Sequence, residues 1–329
     1  MSKKALLVAV AILAIAILAT VAAACGSSTP PSTTTPAASS TGFNVATVKA
    51  DSAINAMLPS AIKSAGVMRV ASDVPYPPWE NWAATGSTQV TGFDYDLAQA
   101  IAARMGIKAL FVPTTFDNAI LAVKGAKDDV IMSDMYDIAS RRAEGVSFVD
   151  YAADATAILV LKGNPKGITT PDSLSGMTVT CESGTTQQAY LQDLNKTLAA
   201  SGKPQMQILV LPSQPAASLA LKSGRAVAEL TDHSVAVNIA KTYGGGNAFE
   251  VVVDPASPAG YNPQLVGAAI MSTNTQFISA FQKSLQSLID DGTYTQVLDK
   301  YSGYSIIPVK SAQLNQGGMS ANPSASTTP

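Results

Sequence analysis

The chain has 329 residues, length enough for two ordinary domains. Only 13% of them are charged and the formal net charge is -2, which argues against a nucleic-acid binder with its basic stripe. Two cysteines, Cys25 and Cys181, and one histidine, His233, with neither a C-x-x-C nor an H-E-x-x-H pattern, leave little material for a metal site. No metal, cofactor or catalytic residue is expected.

The first residues set the compartment. Lys3 and Lys4 supply a positive end, and Ala5 to Ala24 is apolar apart from Thr20. Small residues then precede Cys25, the pattern of a secretory signal with a cleavage site. Ala22-Ala23-Ala24-Cys25 resembles a bacterial lipobox, which implies that Cys25 is lipidated and becomes the new N-terminus. The match departs from the usual box in carrying Ala22 where Leu is common. The alternative is an uncleaved membrane anchor, because about 20 apolar residues can span a bilayer. Either way the bulk of the chain is expected outside the cytoplasm. Residues 26–42 lack core-forming side chains and predict a disordered tether, and residues 311–329 a tail of the same kind.

Asp51 to Ala65 predicts a helix interrupted near Pro59 and stopped by Gly66. A strand follows at Val67 to Ala71, then a loop rich in proline and aromatics. Tyr76, Trp79 and Trp82 in that loop would be unusual if exposed, and pockets favour aromatic walls. A helix is expected from Phe93 to Met105, with Gly106 just past its end. A strand at Ala109 to Val112 and a helix at Phe116 to Lys124 come next. Strands alternating with helices imply parallel pairing in a three-layer α/β unit.

Asp129 to Tyr151 organises this unit. An apolar strand, Val130-Ile131-Met132, turns polar at Ser133, Asp134, Tyr136 and Asp137. Arg141 and Arg142 follow, and the stretch closes at Phe148 and Tyr151. In α/β proteins ligands sit beyond the carboxyl ends of strands, so this is a candidate small-molecule site.

The pattern then restarts over residues 154–265. Strands are expected at Ala155 to Leu161, Thr178 to Cys181, Met206 to Leu211 and Val227 to Leu230. Helices open at Thr185, Ser213 and Thr231-Asp232. Thr185-Thr186-Gln187-Gln188 fits a capping box, and Cys181, in an apolar strand, is expected to be a packed thiol. A strand at Gly267 to Met271 and helices at Phe277 to Ile289 and Tyr294 to Lys300 end the series. Two similar units suggest two lobes around a cleft. If the last helices return to the first lobe, residues 43–153 and 266–310 form it, and 154–265 are an inserted second lobe.

The stretches MRVASDVPYPPWE, TGFDYDLAQAIA, TFDNAILAVKGAKDDVIMSD, RRAEGVSFVDY, the SGTT of CESGTT, LKSGRAVAELTD and LQSLIDDGTYTQVLDKYSG carry a resemblance. In order and spacing they are similar to the extracellular solute-binding proteins of polar amino-acid ABC transporters, over residues 50–304. The resemblance implies a type II periplasmic-binding-protein-like fold, two α/β lobes joined by hinge strands near Ala152–Thr156 and Gln264–Val266. It implies a monomer that captures an amino-acid-like ligand by closure and delivers it to an ABC permease in the membrane.

It also implies site residues. Spacing to Val146 and Phe148 places the ligand carboxylate on Arg142; Arg141, one residue away on a helix, points about 100° aside. An arginine suits this role because its planar fork matches a carboxylate. Thr185 and Thr186, at a helix start that attracts anions, would complete the clamp. Asp232 would accept the ligand ammonium, Tyr76 and Phe116 would sandwich its side chain, and Ser133 would add a polar contact. Trp79 is a further aromatic candidate. Asp73 and Glu182 fall where relatives face the ligand side chain. The chain departs from the family pattern at Asp134, usually Gly, at Tyr136-Asp137, usually a Ser/Thr motif, and in one residue inserted between Ser133 and Arg142. Asp73, Asp134, Glu182 and Asp232 beside a single arginine favour a cationic ligand. An enzyme on the same scaffold, similar to dehydratases of cyclic acids, and a ligand sensor are the alternatives.

Overall fold

A computed structural model describes residues 43–318. The expected signal peptide, Cys25, the expected tether to residue 42 and the end of the expected tail lie outside the described residues. Twelve strands and ten helices follow in order: α1 Ser52–Met57, α2 Ser60–Ala65, β1 Val67–Ser72, β2 Asn81–Trp82, β3 Val90–Thr91, α3 Phe93–Arg104, β4 Lys108–Pro113, α4 Ala119–Lys124, β5 Val130–Ile131, α5 Ala139–Arg142 and β6 Val146–Leu161. Then come β7 Thr178–Glu182, α6 Thr186–Ala200, β8 Gln207–Leu211, α7 Gln214–Lys222, β9 Ala228–Asp232, α8 His233–Thr242, β10 Phe249–Val251, β11 Tyr261–Met271, α9 Thr275–Asp290, α10 Thr293–Asp299 and β12 Ile307–Leu314.

The main sheet runs β4-β1-β5-β11-β6-β9-β7-β8. β1 is parallel to β4 and β5 at one end, and β7 is parallel to β8 and β9 at the other. β6 and β11 join these two parallel halves and pair antiparallel with each other. The result is a two-lobed α/β fold. β6 is 16 residues long, whereas the sequence predicts only its second half as strand. Asp150 and Asp154 interrupt its apolar run, and both are buried against backbone donors: Asp150 Oδ2 accepts the Gln316 N–H, and Asp154 accepts the Ala155 and Ser234 N–H groups. Aspartates that find such partners do not end a strand.

Gln264, Leu265 and Val266 of β11 pair with Asp154, Ala153 and Ala152 of β6, flanked by register shifts on both sides. α9 packs on α1, α3 and β12, and α10 on α3, so the last helices return to the first half. There Trp79, Phe93 and Tyr151 form a buried aromatic cluster, with Trp79 edge-on to Phe93 at 5.4 Å between centroids. α3 buries Phe93, Leu97 and Ile101, one every four residues, as a core-facing helix stripe should.

The chain stays ordered past the expected end at residue 310. β12 runs through Leu314 and pairs with β6. Beyond it the Asn315 side chain accepts the Phe148 N–H at 2.7 Å, and the Gly317 N–H donates to Asp137 Oδ2 at 2.7 Å. Composition misled here: the segment is polar because it makes an edge strand, and its bonds go to backbone and buried carboxylates rather than to an apolar core.

Candidate functional site

Four strand ends meet at one small cavity. β1 leads into Asp73 and Tyr76, β5 into Asp134, Tyr136 and Arg141, β7 ends at Glu182 before Thr185, and β9 ends at Asp232. With Phe116, Thr186 and Gln187 these residues line a narrow cavity. It lies beyond the carboxyl ends of the parallel strands of both halves, where such folds bind ligands. A wider groove adjoins it and shares Phe116, Arg141, Thr185 and Thr186.

Arg141 is the cation of the cavity, and it is 7% exposed. Its Nη1 donates to the Tyr136 carbonyl at 3.0 Å and its Nη2 to the Gly184 carbonyl at 3.2 Å. Its guanidinium lies 5.1 Å from the centre of the Phe116 ring, a cation–π contact. Burial lowers its pKa to about 10, against the pull of Asp232 and other acids, so it stays charged at neutral pH. Gly184, at φ +77°, lies so close to Asp117 that a Cβ would meet it at 3.1 Å; only glycine lets the two halves approach here.

Across from Arg141, α6 begins. The Thr185 hydroxyl accepts the Gln188 N–H as the N-cap, and the Gln188 side chain accepts the Gly184 N–H in return. The helix start therefore presents unpaired N–H groups and the positive dipole end toward the cavity.

Asp232 is a hub. The Tyr76 and Tyr136 hydroxyls both donate to its carboxylate, and so does Gln187 Nε2, at 2.6 Å. The two tyrosines come from the first half and Asp232 from the second. Nearby, Trp79 Nε1 donates to Ser234 Oγ at 2.7 Å across the same boundary.

The rest of the wall is acidic. Burial, then a hydrogen bond to Asp73, pushes the Glu182 carboxyl up to about 10, so it is protonated at neutral pH. Asp73 is raised by burial, offset by that bond. Asp134, 3% exposed, is pushed well above the usual carboxylate range by burial and then by Asp232, Asp154, Asp94 and Glu80. Behind it, burial holds Asp94 at about 7 and raises Glu80 well above its usual range. Among the described residues no group of His, Cys, Asp and Glu is arranged to hold a metal ion.

The structure brings Asp73, Tyr76, Phe116, Asp134, Tyr136, Glu182, Thr185, Thr186 and Asp232 together around the cavity. It places three expected residues elsewhere. Trp79 is fully buried beneath the loop in the aromatic cluster. Ser133 sits behind the wall, where its hydroxyl accepts the Asp73 N–H at 2.9 Å and donates to Glu80. Arg142 points away: its guanidinium, 24% exposed, pairs with Asp137 and donates to the Gly317 carbonyl at 3.0 Å. Counting back from Phe148 put the arginine one residue late. Taking Arg141 instead removes the insertion that Arg142 required after Ser133, and this was the signal in the sequence. Gln187 was missed because it was read only as part of the cap; Gln188 does that work, and Gln187, about 100° round the helix, faces Asp232.

A two-lobed fold with a polar, arginine-bearing cavity at the strand ends of both halves is the arrangement of a solute-binding protein. The profile of the bacterial extracellular solute-binding proteins, family 3, matches residues 68–304, and the chain belongs to that family. It is 30% identical over 241 residues to the lysine/arginine/ornithine-binding periplasmic protein of Escherichia coli, covering 73% of this chain and 88% of that protein. It is 30% identical to the ABC transporter arginine-binding protein 1 of the same organism, covering 69% and 86%. Among solved structures, an ancestral arginine-binding protein bound to arginine superposes with TM-score 0.62 at 30% identity, over 72% of this chain and 98% of that one. An ancestral amino acid-binding protein described as a precursor of cyclohexadienyl dehydratase gives TM-score 0.62 at 29% identity, over 73% and 97%.

Proposed function

We propose that this protein is the substrate-binding component of an ABC importer and captures a small cationic amino acid without catalysis. The observation that carries this reading is the pairing of Arg141 with the start of α6 across a cavity whose other charged groups are all acidic. Arg141 and the free N–H groups of the helix start hold the ligand carboxylate, a charge-assisted arrangement suited to that anion. Asp73 and Glu182 receive the side-chain cation, which displaces the proton they share. The tyrosines and Phe116 wall the aliphatic part. Relatives named for lysine, arginine and ornithine binding support this ligand class.

Residues 154–265 move as one lobe against the remainder, with Ala152–Asp154 and Gln264–Val266 as the hinge. Ligand contacts from both lobes stabilise closure. The closed monomer docks on a membrane permease. Cys25 is lipidated and holds the protein at the outer face of the cell membrane; no described helix is long and apolar enough to cross one.

Calorimetry with lysine, arginine, glutamine, glutamate and a polyamine tests the function. Tight binding of lysine or arginine, with glutamine weaker and glutamate undetected, is the expected result. Tight binding of glutamate alone would remove the charge argument, and chemical turnover of any bound acid would favour an enzyme.

A further inference from the structure

Asp134 combines properties that the fold alone does not explain. Its φ is +44°, in the left-handed region that favours glycine. It is 3% exposed and lines the cavity. Its backbone N–H is used, donating to Asp94 Oδ2 at 3.0 Å, yet among the described residues no amide, guanidinium or hydroxyl donor reaches either of its carboxylate oxygens, and the side chain hydrogen-bonded to it is another acid, the Asp232 carboxyl. The groups facing it are the carboxyls of Asp232, Asp154, Asp94 and Glu80, the phenols of Tyr76, Tyr136 and Tyr151, and the Arg141 guanidinium. A buried carboxylate kept in a strained backbone with only another acid beside it wants a cation from outside the chain.

Asp232, the expected ammonium acceptor, is in the opposite condition. Tyr76, Tyr136 and Gln187 all donate to it. Tyr136 brings a donor of the chain itself to this carboxylate. The two aspartates are therefore complementary: one is occupied by donors of the chain, and the other, beside it, is left for a cation from outside.

We infer that Asp134 receives the α-ammonium of the amino-acid ligand, and that Asp232 serves as the internal hub tying Tyr76, Tyr136 and Gln187 together. This rests on the proposal that the ligand carboxylate lies on Arg141. Burial and its acidic neighbours raise the Asp134 carboxyl, which favours its protonated form in the absence of ligand. An ammonium bound there displaces such a proton to solvent.

The test compares each amino acid with the same molecule lacking its α-amino group: lysine with 6-aminohexanoate, and arginine with 5-guanidinopentanoate. Affinities are measured by calorimetry on the full folded protein and on Asp134→Asn. The wild type should prefer the α-amino compound by about 30-fold or more, the usual cost of leaving one member of a buried charged pair alone. In Asp134→Asn that preference should fall below about threefold, a loss of the charged partner alone. The deaminated compound makes no demand on Asp134, so its affinity reports the fold and the Arg141 clamp of the variant. Repeating the wild-type titration in buffers of different ionisation enthalpy should show a proton released with lysine that is not released in the variant. An undiminished preference in Asp134→Asn would return the ammonium to Asp232 and overturn the inference, as would loss of both compounds together. If the wild type binds the deaminated compounds as well as the amino acids, the inference fails while the Arg141 clamp stands. If it binds none of the four, the amino-acid proposal itself fails.

Discussion

The Tyr136 hydroxyl donates to the Asp232 carboxylate, joining the loop after β5 to the end of β9, with both groups buried. The Tyr76 hydroxyl makes the same junction from the loop after β1. Two phenols thus tie one lobe to a carboxylate of the other.

Removing one of these donors should loosen the junction. Tyr136→Phe keeps the ring and loses a buried bond to a charged acceptor, worth about 1.5–3 kcal/mol. Urea unfolding should show a loss of that size, and small-angle scattering a wider particle. A variant as stable and as narrow as the wild type would mean that Tyr136 does not help hold the lobes.

The two arginines should separate cleanly. Arg141→Ala should weaken amino-acid binding by about 100-fold, as expected for loss of a buried charge partner. Arg142→Ala should leave affinity within about threefold, because it does not line the cavity. It should instead cost about 2–3 kcal/mol of stability by stripping the buried Asp137 of its cation. Titration and thermal unfolding of both variants check this, and a reversed pattern would restore Arg142 to the site.

Asp134→Gly should stabilise the protein. It relieves the φ of +44° and removes a buried carboxyl that, among the described residues, has only another acid for a hydrogen-bond partner. The gain is about 1–2 kcal/mol, read as a rise in Tm without ligand. A fall in Tm would show that the carboxyl supports the fold.

The pH dependence of stability should run against the usual direction. Asp94, Asp150 and Glu229 are held at about 7 and Glu182 at about 10, each mainly by burial. All lie above ordinary carboxyl values of roughly 4. From about pH 4 upward the folded state therefore binds more protons than the unfolded state, and stability falls as pH rises. The stabilising protonation is complete below the unfolded values and is lost through about pH 7 for the first three groups, and through about pH 10 for Glu182. The ligand-free protein should be at least about 2 kcal/mol more stable at pH 5.5 than at pH 8. Glu182→Gln should flatten the part of the slope above pH 7. Urea titrations across this range check both statements.

Truncation after Lys310 should be costly. It removes the end of β12 and the bonds that Asn315, Gln316 and Gly317 make to Phe148, Asp150 and Asp137. Several bonds at about 0.5–1.5 kcal/mol each predict a lowered Tm, and a Tm unchanged by truncation would show that this segment adds nothing.

Most elements of the fold were legible in the chain because their signals are local. The apolar stripe of α3, the glycine after α2 and the strand ending at Glu182 are written in neighbouring residues, and their order identified a two-lobed solute-binding fold. Asp73, Tyr76, Phe116, Glu182 and Asp232 could be anticipated from the resemblance to the solute-binding family, because they lie in or beside stretches that match it in order and spacing. What tertiary structure alone decided depends on partners far apart in sequence. Arg141 and Arg142 are adjacent and chemically alike; only Gly184 on one side and Asp137 with Gly317 on the other assign them their directions. Asp150 and Asp154 look like strand breakers until Gln316 and Ser234 arrive to satisfy them. The polar residues after 310 look unstructured until β6 offers its edge. Periodicity reports which face a residue takes along its own element, but the balance between a buried charge and its partner is set by groups that only folding brings within reach.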